Sequence, residues 1–198
     1  MLRCGLLGEK LGHSYSPEIH KMLAGYEYRL YERRAEELES FIKGGEWDGL
    51  NVTIPYKKAV LPFCDELGER ARLSGSVNTL VRRADGSIYG DNTDMFGFES
   101  LLRVNGIDPA GMKALVLGNG GACASVRAVL DSFGARTVVI SRRGEDNYNN
   151  LERHRDAGII VNTTPLGMYP KNGAQAVDLT EFPNCRAVLD LSLIHISE

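Results

Sequence analysis

Apolar residues cluster from Leu2 to Leu7 and stop at Gly8, which predicts a first strand. Ser16 is placed to cap a helix that has Pro17 at its first position and runs to about Leu23. Tyr26 to Tyr31 alternates and predicts a second strand. Leu38, Phe41 and Ile42 recur at helical spacing within Ala35 to Lys43, with Gly44-Gly45 as a stop. Trp47 to Ile54 predicts a third strand and Pro62 to Leu73 another helix. Val77 to Arg82 and Ser87 to Tyr89 flank Asp85-Gly86, a hairpin signal. A helix carrying Phe98, Leu101 and Leu102 follows Asp94.

The pattern changes around Asn105-Gly106-Ile107-Asp108-Pro109, where a domain boundary is expected. Beyond it, short continuous apolar runs replace alternation: Ala114 to Leu117, Thr137 to Ile140, Gly158 to Val161 and Ala187 to Leu191. Such runs are typical of parallel strands buried on both faces. Strands alternating with helices predict an α/β protein with mostly parallel sheets, in two domains.

Composition narrows the function classes. A chain of 198 residues with 43% hydrophobic residues can build a real core, and a formal net charge of -3 gives no footprint for nucleic acid. No apolar stretch approaches membrane-span length, and the start is too short for a signal peptide, so no membrane association is expected. Cys4, Cys64, Cys123 and Cys185 lie far apart. They are expected to be small buried residues of a reducing cytosol, with no disulfide and no metal.

Candidate chemistry begins at Asn51-Val52-Thr53-Ile54-Pro55-Tyr56-Lys57. Asn51 and Thr53 share one face of an extended segment, and Val52 and Ile54 share the other. Pro55 ends the strand, and Lys57 emerges from the turn near the polar face. An amide, a hydroxyl and an ammonium at one strand end suit a small, polyhydroxylated anion. The same residues also describe an amphipathic strand followed by a solvated lysine. Ser14 and Ser16 form another i, i+2 pair; capping accounts for Ser16 but not for Ser14. Asp94 lies at the positive end of its helix.

Gly118-Asn119-Gly120-Gly121-Ala122 ends the first strand of the second half and opens a helix with Val126, Val129, Leu130 and Phe133 at helical spacing. Strand, glycines, helix and strand present backbone N–H groups to a pyrophosphate. Cys123 replaces the third glycine of the usual pattern. The second strand ends in Ser141-Arg142-Arg143, where an acidic residue would favour NAD; arginines suit a 2′-phosphate, so NADP is expected. Glu145 and Asp146 follow past the turn, and a solvated basic pair is the alternative. Asn162-Thr163-Thr164-Pro165-Leu166-Gly167-Met168 forms a loop at a strand C-terminus, where open α/β sheets bind ligands.

Together His13-Ser14-Tyr15-Ser16-Pro17, Asn51 to Lys57, Val77-Asn78-Thr79-Leu80, Gly90-Asp91-Asn92-Thr93-Asp94 and Asn162 to Met168 resemble the shikimate dehydrogenase family, in the family's order from Gly5 to about Leu191. The resemblance implies a substrate domain over 1–105 and an NADP-binding Rossmann domain over 106–191, incomplete at its end, with the reaction in the cleft between them. It implies reduction of 3-dehydroshikimate to shikimate by NADPH in aromatic amino-acid biosynthesis, by a cytoplasmic monomer or homodimer. Ser14 and Ser16 would contact the substrate carboxylate. Asn51, Thr53, Asn78 and Asp94 would hold ring hydroxyls. Lys57 and Asp94 would be the catalytic pair. Gly118 to Ala122, Ser141, Arg142, Arg143, Asn162, Thr163, Thr164 and Met168 would bind the cofactor. Two serines imply shikimate rather than quinate. A quinate/shikimate dehydrogenase and a catalytically silent fragment are the alternatives.

Two departures bear on these expectations. The family's Asn-Arg-Thr after the second Rossmann strand is Ser141-Arg142-Arg143 here. After Leu191 the family continues with helices that return to the first domain, whereas this chain reads Ser192 to Glu198. The residues 192–198 are expected to be foreign to the family, and the chain a poor enzyme.

Overall fold

A computed structural model describes residues 2–12, 14–23, 25–167 and 173–191. These fall into two compact units, Met1–Thr93 and Asp94–Glu198. His13, Met168 and the tail 192–198 lie outside the described residues.

The first unit runs β1 (Arg3–Gly8), α1 (Ser16–Leu23), β2 (Glu27–Glu32), α2 (Leu38–Gly44), β3 (Gly49–Val52), β4 (Glu66–Leu67), α3 (Glu69–Ser74), β5 (Thr79–Arg82) and β6 (Ile88–Asp91). Its six-stranded sheet has the order β2-β1-β3-β5-β6-β4. β1 is parallel to β2 and β3; β5 is antiparallel to both neighbours; β4 is parallel to β6. Only β5 runs against the rest. The exits of β1, β3 and β6 and the entrance of β5 therefore share one end of the sheet. That end receives Ser14, Thr53, Asn78 and Thr93.

Alternation divides the two faces of this sheet. Leu7, Leu50, Val52, Leu80 and Ile88 enter a core with Leu38, Ile42 and Trp47. Leu6 pairs with Asn51 and Cys4 with Tyr28, so these four side chains share the opposite face. Arg82 stacks over the Trp47 ring at 4.3 Å and donates from Nη2 to Ile42 O at 2.6 Å, satisfying a carbonyl in the last turn of α2.

Two sequence expectations fail in this unit. The third strand ends at Val52, and Ile54 is 66% exposed instead of anchoring in the core. Tyr56 N–H donates to Thr53 O, and this turn buries Tyr56 and Val60 in its place. The helix expected over Pro62 to Leu73 is broken into a 3-10 turn at Leu61–Phe63, the short strand β4 and α3. The cause is pairing to β6. Asp65 accepts from Ile88 N–H at 2.8 Å, and Gly68 N–H donates to Gly90 O at 2.8 Å. Gly68 leaves room there for the Asp91 carboxylate and the Tyr89 hydroxyl, which a Cβ would have to displace.

The second unit contains α4 (Thr93–Val104), β7 (Lys113–Leu117), α5 (Gly121–Ser132), β8 (Arg136–Ile140), β9 (Ile159–Asn162) and β10 (Ala187–Asp190). Its strands are all parallel in the order β10-β9-β7-β8. Met95, Phe98 and Leu102 of α4 pack in one core with Ala114, Val116, Ile159 and Val161. The division between units thus falls at the start of α4, ahead of the Asn105–Pro109 loop where composition alone puts it. Leu115, Leu117, Ile140 and Ile160 face the other way and are covered by Ala157, Phe182, Tyr148 and Leu151. Both faces of the sheet are covered, which is why its strands read as unbroken apolar runs.

All four cysteines are free thiols, but only Cys123 is buried; Cys4, Cys64 and Cys185 are half-buried. No helix among the described residues is long and apolar enough to cross a membrane.

Candidate active site

Backbone hydrogen bonds assemble the polar end of the first unit. Val52 N–H donates to Asn78 O at 2.8 Å, and Val77 N–H donates to Lys57 O at 2.7 Å. Thr53, which follows Val52, donates its N–H to Leu7 O at 2.9 Å. Asn51 pairs with Thr79 across β3 and β5. The backbone segments of Asn51, Thr53, Lys57 and Asn78 are therefore joined by contacts far apart in the chain.

Ser14 has a local task that sequence reasoning denied it. Its Oγ accepts from Ser16 N–H at 3.2 Å, satisfying a donor in the first turn of α1. A hydroxyl that accepts in this way still has its own proton to donate. Asn78 is 8% exposed and also has a structural task. Its Oδ1 accepts from Thr93 N–H at 2.9 Å and its Nδ2 donates to Thr93 Oγ1 at 3.0 Å, which caps α4. Asn92, fully buried, donates from Nδ2 to Ser74 Oγ, Ser76 O and Ser76 Oγ at 2.8–3.1 Å. This knot holds the exit of β6. Asp94 follows Thr93 in the first turn of α4, where the helix dipole favours a carboxylate.

Sequence reasoning missed two aromatic neighbours. Tyr28 Oη donates to Asn51 Oδ1 at 2.8 Å. His20 stacks on the Tyr28 ring with centroids 3.9 Å apart and planes 11° apart, and its Nδ1 meets the Tyr26 hydroxyl. Burial holds the Tyr28 phenol far above its ordinary titration range, against a hydrogen bond from Ser16 that acts the other way. The signals were present: His20 lies one helical turn after Ser16, and Tyr28 shares the Tyr26 face of β2.

In the second unit, β7 and β9 lie side by side, and β8 and the chain toward β10 depart on opposite sides of them. Such a switch point opens a crevice at the strand ends. Gly118 sits there with φ 107°, and a Cβ on it would lie 2.9 Å from Thr163 Oγ1. Thr163 Oγ1 donates to Leu117 O at 2.6 Å. The N-terminus of α5 has Gly120 as its cap residue and no side-chain cap, and space beside Gly120 is open. Backbone donors facing open space at a glycine turn fit a pyrophosphate. Cys123, in place of the third glycine, is buried between α5 and the sheet.

Asn162 is committed to its own loop. Its Oδ1 accepts from Thr164 N–H and Oγ1 at 3.0 and 2.7 Å, and its Nδ2 donates to Leu166 O and to Asp190 Oδ2, both at 3.2 Å. Thr163 and Thr164 are thereby held beside Gly118. After β8, Ser141 is half-buried, while Arg142 and Arg143 are exposed.

The model of the shikimate dehydrogenase substrate binding domain matches residues 6–80. The chain is 35% identical to the shikimate dehydrogenase (NADP(+)) of Clostridium beijerinckii, over 94% of this chain and 76% of that protein. The chain belongs to the shikimate dehydrogenase family. Solved shikimate dehydrogenases have the same fold. Shikimate dehydrogenase 1 from Peptoclostridium difficile is 33% identical with a TM-score of 0.86, covering 96% of this chain and 77% of that one. The Thermus thermophilus shikimate 5-dehydrogenase, solved with NADP(H) and shikimate, is 30% identical with a TM-score of 0.84, covering 98% and 80%. As a family member, the chain places the Asn51–Lys57 stretch inside the matched substrate-domain segment and the glycine turn beyond it.

Proposed function

We propose that this chain catalyses the reversible reduction of 3-dehydroshikimate to shikimate with NADPH. What carries this reading is the set of backbone hydrogen bonds that join the segments of Thr53, Lys57 and Asn78 at one end of the first unit's sheet. Ser14 and Ser16 take the substrate carboxylate, and Asn51, Thr53 and Asn78 take ring hydroxyls. Gly118, Asn119, Gly120, Gly121, Ala122, Ser141, Arg142, Arg143, Thr163 and Thr164 would hold NADPH, which would supply the hydride when bound. Asn162 serves the cofactor by ordering Thr163 and Thr164. Met168, outside the described residues, is assigned by motif alone.

The protein's own task is the proton. As the ring carbonyl is reduced, its oxygen gains negative charge. Lys57 stabilises that charge and protonates the oxygen, with Asp94 as the second member of the pair. In the oxidative direction the same two groups remove the hydroxyl proton. The reading places the protein in the cytoplasm as a monomer or homodimer.

The test is steady-state kinetics with shikimate and with quinate, followed through reduced nicotinamide. Lys57→Met is expected to lower kcat by ~10²–10⁴-fold, the range for general acid–base catalysis, with little change in the KM for shikimate. Turnover of neither substrate by the parent chain, or an unchanged kcat in the variant, counts against the assignment.

A further inference from the structure

The amide of Asn51 can present either an acceptor or a donor to a ligand, and its neighbours decide which. Tyr28 Oη donates to Asn51 Oδ1 at 2.8 Å. With Oδ1 turned to the phenol, the amide presents its Nδ2 donors at the other end.

His20 covers the Tyr28 ring in a parallel stack, with centroids 3.9 Å apart, while the phenol donates to Asn51 Oδ1. Tyr28 lies on β2 and Asn51 on β3, with β1 between them. The phenol therefore spans a whole strand to reach the amide.

We propose that Tyr28 is a positioning residue for substrate: its hydroxyl locks the Asn51 amide with Nδ2 toward the ligand, and so selects a ring oxygen that accepts a hydrogen bond at that point. The inference rests on the shikimate reading above and adds a polarity to one of its contacts.

Tyr28→Phe keeps the ring that stacks on His20 and removes only the hydroxyl. The loss of one neutral hydrogen bond is expected to raise the KM for shikimate about three- to tenfold, with kcat within about twofold and the KM for NADP unchanged. In Asn51→Ala the same tyrosine substitution should add nothing further, because the two act through one contact. Singly deoxygenated shikimates give an independent reading. The parent should discriminate against one of them, and Tyr28→Phe should lose most of that discrimination.

Melting curves identify a variant that is simply misfolded, and the double variant is then compared with Asn51→Ala alone. An unchanged shikimate KM in folded Tyr28→Phe, or fully additive losses in the double variant, would overturn the proposal. Absence of shikimate turnover in the parent would instead remove the functional reading on which it rests.

Discussion

The Asp146 carboxylate accepts a hydrogen bond from His154 Nε2 at 2.8 Å, and the histidine is 6% exposed. The acidic residue that follows β8 is thus turned toward a buried ring. Its own backbone carbonyl accepts from Ser141 N–H at 3.2 Å, so the same residue closes the turn that carries Arg142 and Arg143. An acidic side chain engaged this way is not the one that would hold a ribose hydroxyl, which supports the reading of the arginines as phosphate partners.

The cofactor prediction follows from that pair. Arg142→Ala should weaken NADP about tenfold or more, the loss of a charge-assisted bond, and leave NAD nearly unchanged. Asp146→Ala should leave the ratio of the two affinities as it was. Titration of both cofactors against both variants decides it, and equal losses of NADP and NAD in Arg142→Ala would show that the arginine does not select.

Gly118 should not tolerate a side chain. At φ 107°, with Thr163 Oγ1 2.9 Å and Thr164 Cγ2 3.1 Å from a new Cβ, alanine is strained and displaces the loop. Gly118→Ala is expected to cost about 1–3 kcal/mol and to weaken NADP. Denaturant unfolding and cofactor titration should move together; a variant as stable as the parent would contradict the geometry.

Asn92 tests the buried knot at the exit of β6. Asn92→Ala removes the amide that donates to Ser76 Oγ in the interior and leaves Ser76 O and Ser74 Oγ with the serine hydroxyls as their remaining donors. The expected loss is about 1–3 kcal/mol of stability, seen as a lower urea midpoint with the same slope. Near-parental stability would mean that water or a rearranged serine replaces the amide.

His20 gives a pH dependence with a definite sign. Burial beside the tyrosines holds its imidazole below the ordinary 6.5, against an interaction with the Asn51 side chain that acts the other way. The folded protein therefore binds this proton less readily than the unfolded chain. The contribution to stability is present above pH 6.5 and is lost as pH falls through the folded value. His20→Phe keeps a stacking ring and should flatten the stability profile between about pH 7.5 and about pH 5.5. An unchanged slope would place the titration elsewhere.

Much of this was legible in the chain. The unbroken apolar runs marked the parallel strands of the second unit because both faces are covered, and Asp85-Gly86 marked the hairpin. The polar stretch from Asn51 to Lys57 stood out as a candidate, although alternation holds only as far as Val52. What escaped was set by distant partners. Asp65 and Gly68 break a helical pattern only because β6 is there to bind them. Ile54 is exposed because the turn at Thr53 buries Tyr56 and Val60 instead. Tyr28 matters through Asn51, two strands away, and nothing local announces that reach.

The lone reversed strand β5 has a practical corollary. It carries the chain from Asn78 to the far end of the first sheet, where the Arg83–Ser87 turn reverses it before β6 returns to Thr93. Asp85 at that turn accepts only from neighbouring Ser87, and Gly86 meets open space. A fluorophore, affinity handle or surface tether fixed there would sit a strand length from Asn51, Thr53 and Asn78 at the other end of the same sheet, making this turn the natural anchorage for reporting on them without touching them.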